Sequence, residues 1–285
     1  MADRRARNAD IFRDTEKHYK TNTVLKQAIQ ASIKTQRFIS IKDAVGQPIK
    51  TESKNAKVLV SGKRSLEAAE FYAKQGKKVC VLNFASATNP GGGVVNGSSA
   101  QEESICRCTT LYPCLNTEPM WQAFYSPHRK SGNPLYNDDC IYTPDVYVFK
   151  SDTNFPELLP CDDWWSVNIL TCAAPNLRDR PSNAMNPFAG NTAAKITPAE
   201  LKQLLNSRIR RIFELAVANG NEVLILGAFG CGAFRNPPKI VAEVFYDVMQ
   251  EYLCYFDVIE YAVYHTEREA ANYEAFKNRL GYSQR

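Results

Sequence analysis

Several features are missing from this chain, and each absence narrows what it can be. No apolar run approaches the roughly 18 residues that span a bilayer, so no membrane is expected as a partner. The basic opening Met1-Ala2-Asp3-Arg4-Arg5-Ala6-Arg7 is followed by no apolar region, so it does not read as a secretory signal. The nine cysteines include no CxxC, and His18, His128 and His265 sit at no metal-like spacing, so no metal is expected. No Gly-Lys-Ser/Thr closes a glycine-rich stretch, which excludes a Walker loop. The glycines also lack the Gly-x-Gly-x-x-Gly pattern, and no cofactor is expected. Charge of either sign is not in large excess. A net +5 suits an acidic ligand or polymer without by itself marking a nucleic-acid binder. Repeats and low-complexity tracts are absent.

What is present fits a globular enzyme. A length of 285 residues with 44% hydrophobic and 23% charged content can bury a sizeable core, as one large domain or one domain with an appendage. The cysteine total is odd, and Cys80, Cys172, Cys231 and Cys254 lie in or beside apolar runs. Reduced thiols in a cytoplasmic or nuclear protein follow from that.

Two polar amphipathic helices are expected over residues 10–20 and 23–35, with Thr21 and Asn22 as candidate caps for the second. A short strand is expected over 38–41, and a polar, irregular stretch over 42–55 with Gly46 and Pro48 as turn residues. We take residues 1–56 as a helical accessory segment and 57–285 as the main domain. From residue 57 apolar strands alternate with helices. The strands are expected over 58–60, 79–84, 146–149, 167–174, 222–227 and 258–264. The helices are expected over 65–75, from 101 toward 111, over 118–125, 197–220 and 238–252, and over 267–280. Loops fill 126–139 and 175–197, the second long enough to suggest a function. Arg208, Arg210 and Arg211 read as a solvated helix face. The alternation predicts an α/β layer sandwich with a mostly parallel or mixed sheet.

Ligands in open α/β sheets bind beyond the carboxyl ends of strands, and two glycine-rich segments sit there. Asn89-Pro90-Gly91-Gly92-Gly93 follows the strand at 79–84 and leads to Gln101-Glu102-Glu103. Ser99 with Glu102 fits a capping box, which would put two carboxylates in a helix's first turn facing a glycine-walled space. The dipole alone would favour such residues as a solvated helix start. As a general acid, a carboxyl here needs a raised pKa. The helix N-terminus works against that, and burial and a neighbouring carboxylate work for it. The second segment, Gly230-Cys231-Gly232-Ala233-Phe234, has the small residues that let successive N–H groups turn toward a diphosphate. It reads equally as an ordinary strand-to-helix turn.

Gly-Gly-Gly, a spacer and Gln-Glu-Glu together resemble the signature of poly(ADP-ribose) glycohydrolases, which are built on an ADP-ribose-binding macrodomain. Three further stretches look like the compact microbial type. They are Asn83-Phe84-Ala85-Ser86-Ala87-Thr88-Asn89-Pro90, Leu111-Tyr112-Pro113-Cys114-Leu115 and Gly227-Ala228-Phe229-Gly230-Cys231-Gly232-Ala233-Phe234-Arg235-Asn236. The resemblance implies a macrodomain-like three-layer α/β/α sandwich with a mixed sheet and an N-terminal helical extension. It implies that Glu103 protonates the departing ribose oxygen and then activates water, while Glu102 holds the ribose hydroxyls. Asn89, Gly91, Gly92 and Gly93 would contact the distal ribose and its phosphate, Val94 would belong to the same ligand-binding set, and Gln101 would help fix the glutamates. Gly230, Cys231, Gly232 and Ala233 would cradle the diphosphate, with Phe234 packed on ADP-ribose.

The activity so implied is cleavage of ribose–ribose O-glycosidic bonds, mainly from the chain end. The partners would be poly(ADP-ribose) or an ADP-ribosylated protein, with ADP-ribose as product. The protein is expected to act as a monomer in reversal of ADP-ribosylation and the DNA damage response. Two other readings stay open: a hydrolase of mono-ADP-ribose on protein or nucleic acid, and a non-catalytic reader. Two carboxylates facing an anionic ligand weigh against a reader.

Overall fold

The computed structural model describes residues 2–46, 55–182 and 187–281; Pro48, expected as a turn residue, lies outside them. Two helices lead, α1 (Ala2–Thr21) and α2 (Thr23–Thr35), followed by β1 (Arg37–Ile39). Then come β2 (Lys57–Ser61), α3 (Ser65–Ala73) and β3 (Val79–Phe84). Four short helices follow: α4 (Gln101–Cys108), α5 (Leu111–Leu115), α6 (Glu118–Met120) and α7 (Ser126–Ser131). The chain closes with β4 (Cys140–Val148), β5 (Trp165–Cys172), α8 (Pro198–Ala218), β6 (Val223–Leu226), α9 (Pro238–Met249), β7 (Val258–Ala262) and α10 (Ala271–Leu280).

The seven strands form one mixed sheet in the order β1-β4-β5-β3-β6-β7-β2. β3 runs parallel to both neighbours, β5 and β6, and the β1, β4 and β5 side is antiparallel. Both faces of β3 are covered, which is why it reads as a continuous apolar run. One face packs against α8, α9 and α10 through Leu205, Ile209, Phe213, Phe245 and Phe276. The other packs against α1, α3, α4 and α5 through Phe12, Leu66, Ile105 and Leu111. The result is a three-layer α/β/α sandwich. Within the lead-in segment, β1 pairs with β4 at the sheet edge, and Ser32 of α2 donates to the Asp145 carbonyl at 3.1 Å.

Several local expectations change. α1 begins at Ala2 rather than near residue 10, because its buried stripe, Asn8, Phe12, Thr15 and Tyr19, mixes polar with apolar residues and hides the helical period. The stretch read as a loop from 126 starts as helix: α6, a π-helical turn Trp121–Tyr125 and α7 run on without a break until Gly132 turns left-handed at φ 59°. β4 reaches back to Cys140 through Pro144, and a bulge between Thr143 and Val146 absorbs that proline. Arg208 is not solvated. It is buried and donates from Nε to Asp138 at 2.8 Å, with further bonds to the carbonyls of Leu135 and Ala173. Arg211 is buried too, against the Asp43 and Ser40 carbonyls, and Arg210 pairs with Glu251. Thr197 caps α8 as expected, in a capping box with Glu200.

Candidate active site

β3 and β6 lie side by side at the sheet's centre, and both glycine segments leave their carboxyl ends. After β3, Ala85, Ser86, Ala87 and Thr88 run buried to the glycines. Gly91 and Gly92 take φ of 64° and 58°, the left-handed region that glycine enters without steric cost. Gly92 also has to lack a side chain, since a Cβ there would stand 2.6 Å from Glu103 Oε1 and 3.1 Å from Glu102 Oε2. Both carboxylates therefore press on one piece of backbone.

α4 delivers that pair. The expected capping box does not form: the N-cap is Ala100, without a side-chain bond, and the helix starts two residues after Ser99. Glu102 cannot close a box because its carboxylate turns into the protein. It accepts from the Ser86 amide at 2.7 Å and from Asn83 Nδ2 at 3.3 Å. Gln101 ties the helix start to β3, accepting from the Phe84 amide at 2.9 Å and donating to the Leu82 carbonyl at 2.7 Å. Glu103 Oε1 accepts from the Gly93 amide at 2.9 Å, while its Oε2 is buried with no hydrogen-bond partner among the described residues.

The contest over these carboxyls is won by burial. Desolvation pushes Glu102 well above the ordinary carboxylate range, and the charge of Glu103 adds to it, against the Ser86 amide and Asn83. Glu103 is raised as well, chiefly by burial, against the Gly93 amide and Arg107. Asn83 Oδ1 is a second buried oxygen without a partner among the described residues. Turning that amide over would let a protonated Glu102 donate to it.

A cavity of about 1110 Å³ opens in front of the pair. Its walls include Asn89, Gly92, Gly93, Gln101, Glu102, Glu103, Gly230, Gly232, Ala233 and Phe234, so most of the residues singled out from sequence come together. Three do not reach it. Val94 is fully buried in the core, and a side chain at Gly91 would meet Tyr112, Val94 and Cys106. The Cys231 thiol turns to the Phe229 carbonyl. Phe234 leans on Tyr136, with ring centroids 6.1 Å apart. Gly230, at φ 74°, is packed against Ala174 and Asn236, which fixes the turn after β6.

Sequence reasoning assigned no role to Asn83, Ser86 or Arg129. Asn83 and Ser86 bear on the carboxylate, but one acts through a backbone amide, which carries no residue signature. Arg129 donates from Nε to the Thr88 carbonyl at 2.6 Å and reaches Asn89 Oδ1, bracing the glycine loop from α7. Its guanidinium lies between the Trp121 and Phe188 rings. The loop after residue 175 is tied down by amides of Asn176 and Leu177 donating to the Pro134 and Phe234 carbonyls. Among the described residues no three His, Cys, Asp or Glu side chains are grouped to hold a metal ion, and no helix is long and apolar enough to cross a membrane.

Comparisons with known proteins agree with this fold. The family model for the catalytic domain of microbial-type PARG matches residues 9–151, half of the chain. The poly(ADP-ribose) glycohydrolase of Thermomonospora curvata, solved with the inhibitor ADP-HPD, superposes with a TM-score of 0.77 at 27% identity, covering 96% of this chain and 99% of that one. The enzyme of Deinococcus radiodurans, solved with ADP-ribose, gives a TM-score of 0.72 at 30% identity, covering 89% of this chain and 96% of that one. Curated proteins give no match. Fold, site and matches together make the chain a member of the microbial-type poly(ADP-ribose) glycohydrolase family.

Proposed function

We propose that this protein hydrolyses the ribose–ribose O-glycosidic bonds of poly(ADP-ribose), working mainly from the chain end and releasing ADP-ribose. The observation that carries the reading is the Glu103 carboxyl. One oxygen is fixed by the Gly93 amide; the other is buried, unpartnered among the described residues, and belongs to a group whose proton affinity burial has raised. That is the state a general acid needs. Glu103 gives its proton to the departing ribose oxygen as the sugar passes through an oxocarbenium-like state, then takes a proton from the attacking water. Glu102, held by Asn83 and Ser86, orients the ribose hydroxyls. The amides of Gly230, Gly232 and Ala233 receive the diphosphate, that of Cys231 being bonded to the Ala228 carbonyl, and Phe234 packs on the nucleotide.

Residues 57–285 form the catalytic domain in this reading, with 1–56 an accessory segment that shapes the site. The chain acts as a monomer on free polymer or on an ADP-ribosylated protein in the cytoplasm or nucleus, in reversal of ADP-ribosylation after DNA damage. A reader of ADP-ribose would gain nothing from two buried acids beside its anionic ligand.

The test is release of ADP-ribose from purified polymer by wild type and Glu103→Gln, with ADP-ribose affinity followed by calorimetry. Turnover should fall at least a thousand-fold while affinity stays within a few-fold. A variant that keeps its rate removes Glu103 from the mechanism.

A further inference from the structure

The cavity is large for one nucleotide-sized ligand, since pockets that hold a single drug-sized molecule run from roughly 300 to 1,000 Å³ and this one reaches about 1110 Å³. Arg4 and Arg5 of α1 line it along with Ser98, Ser99 and Ala100, the three residues that lead directly into Gln101 and the glutamates. Both arginines are exposed, and neither has a hydrogen-bond or ion-pair partner among the described residues. Arg64, on the same cavity, is by contrast engaged, donating to Asn154 and lying over the Tyr264 ring.

The segment carrying Arg4 and Arg5 is anchored. Asn8 donates to the Gly97 carbonyl at 3.2 Å, and a side chain at Gly97 would collide with the Arg5 carbonyl. Thr15 donates to the Arg107 carbonyl at 2.6 Å, and Phe12 is fully buried edge-on to Tyr112. Buried Lys150 bonds Asp14 and the Ile11 carbonyl. A helix start whose only role was to be solvated would not need to be fixed to the backbone of the glycine loop.

If Glu103 is the acid, as proposed above, ADP-ribose reaching from residues 230–234 to the glutamates ends with its reactive bond at Glu103. In a polymer, the group beyond that bond is another ADP-ribose unit with two more phosphate charges. We infer that Arg4 and Arg5 form a phosphate-binding subsite for the polymer unit on the far side of the scissile bond, so that α1 favours poly(ADP-ribose) over single ADP-ribose. The pairing is charge-assisted and planar, which suits arginine.

The test needs no turnover. Binding of purified poly(ADP-ribose) and of ADP-ribose is measured for Glu103→Gln, with and without Arg4→Ala and Arg5→Ala together, across a salt series. Polymer Kd should rise about ten-fold. The slope of log Kd against log salt should shrink by about 1.4 for the two arginines, given ~0.7 per phosphate contact on a single strand. ADP-ribose Kd should stay within two-fold, and lysines at both positions should restore part of the polymer affinity. Unchanged polymer affinity would mean a solvated helix start, and parallel loss of both ligands would place the arginines in the ADP-ribose site itself; either result overturns the subsite. Failure of the wild type to release ADP-ribose would count against the catalytic reading alone, since these affinities are read without it.

Discussion

Gly92→Ala is the substitution that asks most of the site. Its new methyl carbon would sit 2.6 Å from Glu103 Oε1 and 3.2 Å from Glu103 Cδ, and the neighbour is a carboxylate already bonded to the Gly93 amide. Restoring ordinary contact at about 3.4 Å moves that oxygen by some 0.8 Å, in a carboxylate held by the Gly93 amide at the cavity wall. A misplacement near 1 Å at a catalytic group costs on the order of 100-fold in rate. Independently, alanine at φ 58° pays the strain of a left-handed residue, about 1–3 kcal/mol. We expect kcat for ADP-ribose release to drop roughly 100-fold, and the Tm to fall by about 2–4 °C for each kcal/mol of that strain. Release from purified polymer gives the first quantity and scanning calorimetry the second. A variant with kcat within three-fold of wild type would refute the reasoning, because Glu103 could not then depend on the position that Gly92 leaves open.

Two other expectations separate ligand effects from folding effects. Gly232 lines the cavity at an ordinary φ, and a methyl carbon added there would meet no atom within 4 Å. Gly232→Ala should therefore leave Tm within about a degree yet weaken ADP-ribose roughly ten-fold if a ligand lies against that backbone, as titration calorimetry would report. Glu102→Gln tests the buried charge. Because the folded pKa is raised above the ordinary 4.5, the carboxyl's stabilising contribution is complete below that value and is lost as pH rises through the folded one. The variant should therefore melt above wild type at pH 8, by about 2–4 °C per kcal/mol of relieved charge, and lose the advantage near pH 4. A pH-independent difference would show that the Glu102 carboxyl has the same proton affinity folded as unfolded, so that burial does not raise it.

Much of this was legible in the sequence, for a physical reason. β3 and β6 are central and parallel, so their burial on both sides writes itself as unbroken apolar runs, and each run leads into a segment holding a glycine, Gly92 or Gly230, that cannot be replaced without collision. Hence the Glu102–Glu103 pair could be placed from the residues alone. What escaped was carried by features that have no periodicity. The start of α1 is hidden by Asn8 and Thr15, which are buried because they bond backbone carbonyls elsewhere in the fold. Arg208 looked like a surface charge because its partner Asp138 lies in the loop ahead of β4. The Ser99 cap failed because Glu102 found better donors at the end of β3 than at its own helix start. Residues 230–234 could not be told from a plain turn until they were seen facing the glutamates across one cavity.

The strand order carries a consequence for how the molecule is made. β2 is the first strand of the parallel half, yet its partner among the described residues is β7, with Lys57 opposite Val258. Between them the chain must build β3 to β6, so closing that edge joins segments far apart in sequence and comes at a high entropy cost. During synthesis β2 emerges early and waits, an unpaired apolar strand, until β7 follows. Folding should therefore be slow and late to become cooperative. The N-terminal part of the domain would be the portion most in need of chaperone protection while the rest is still being translated.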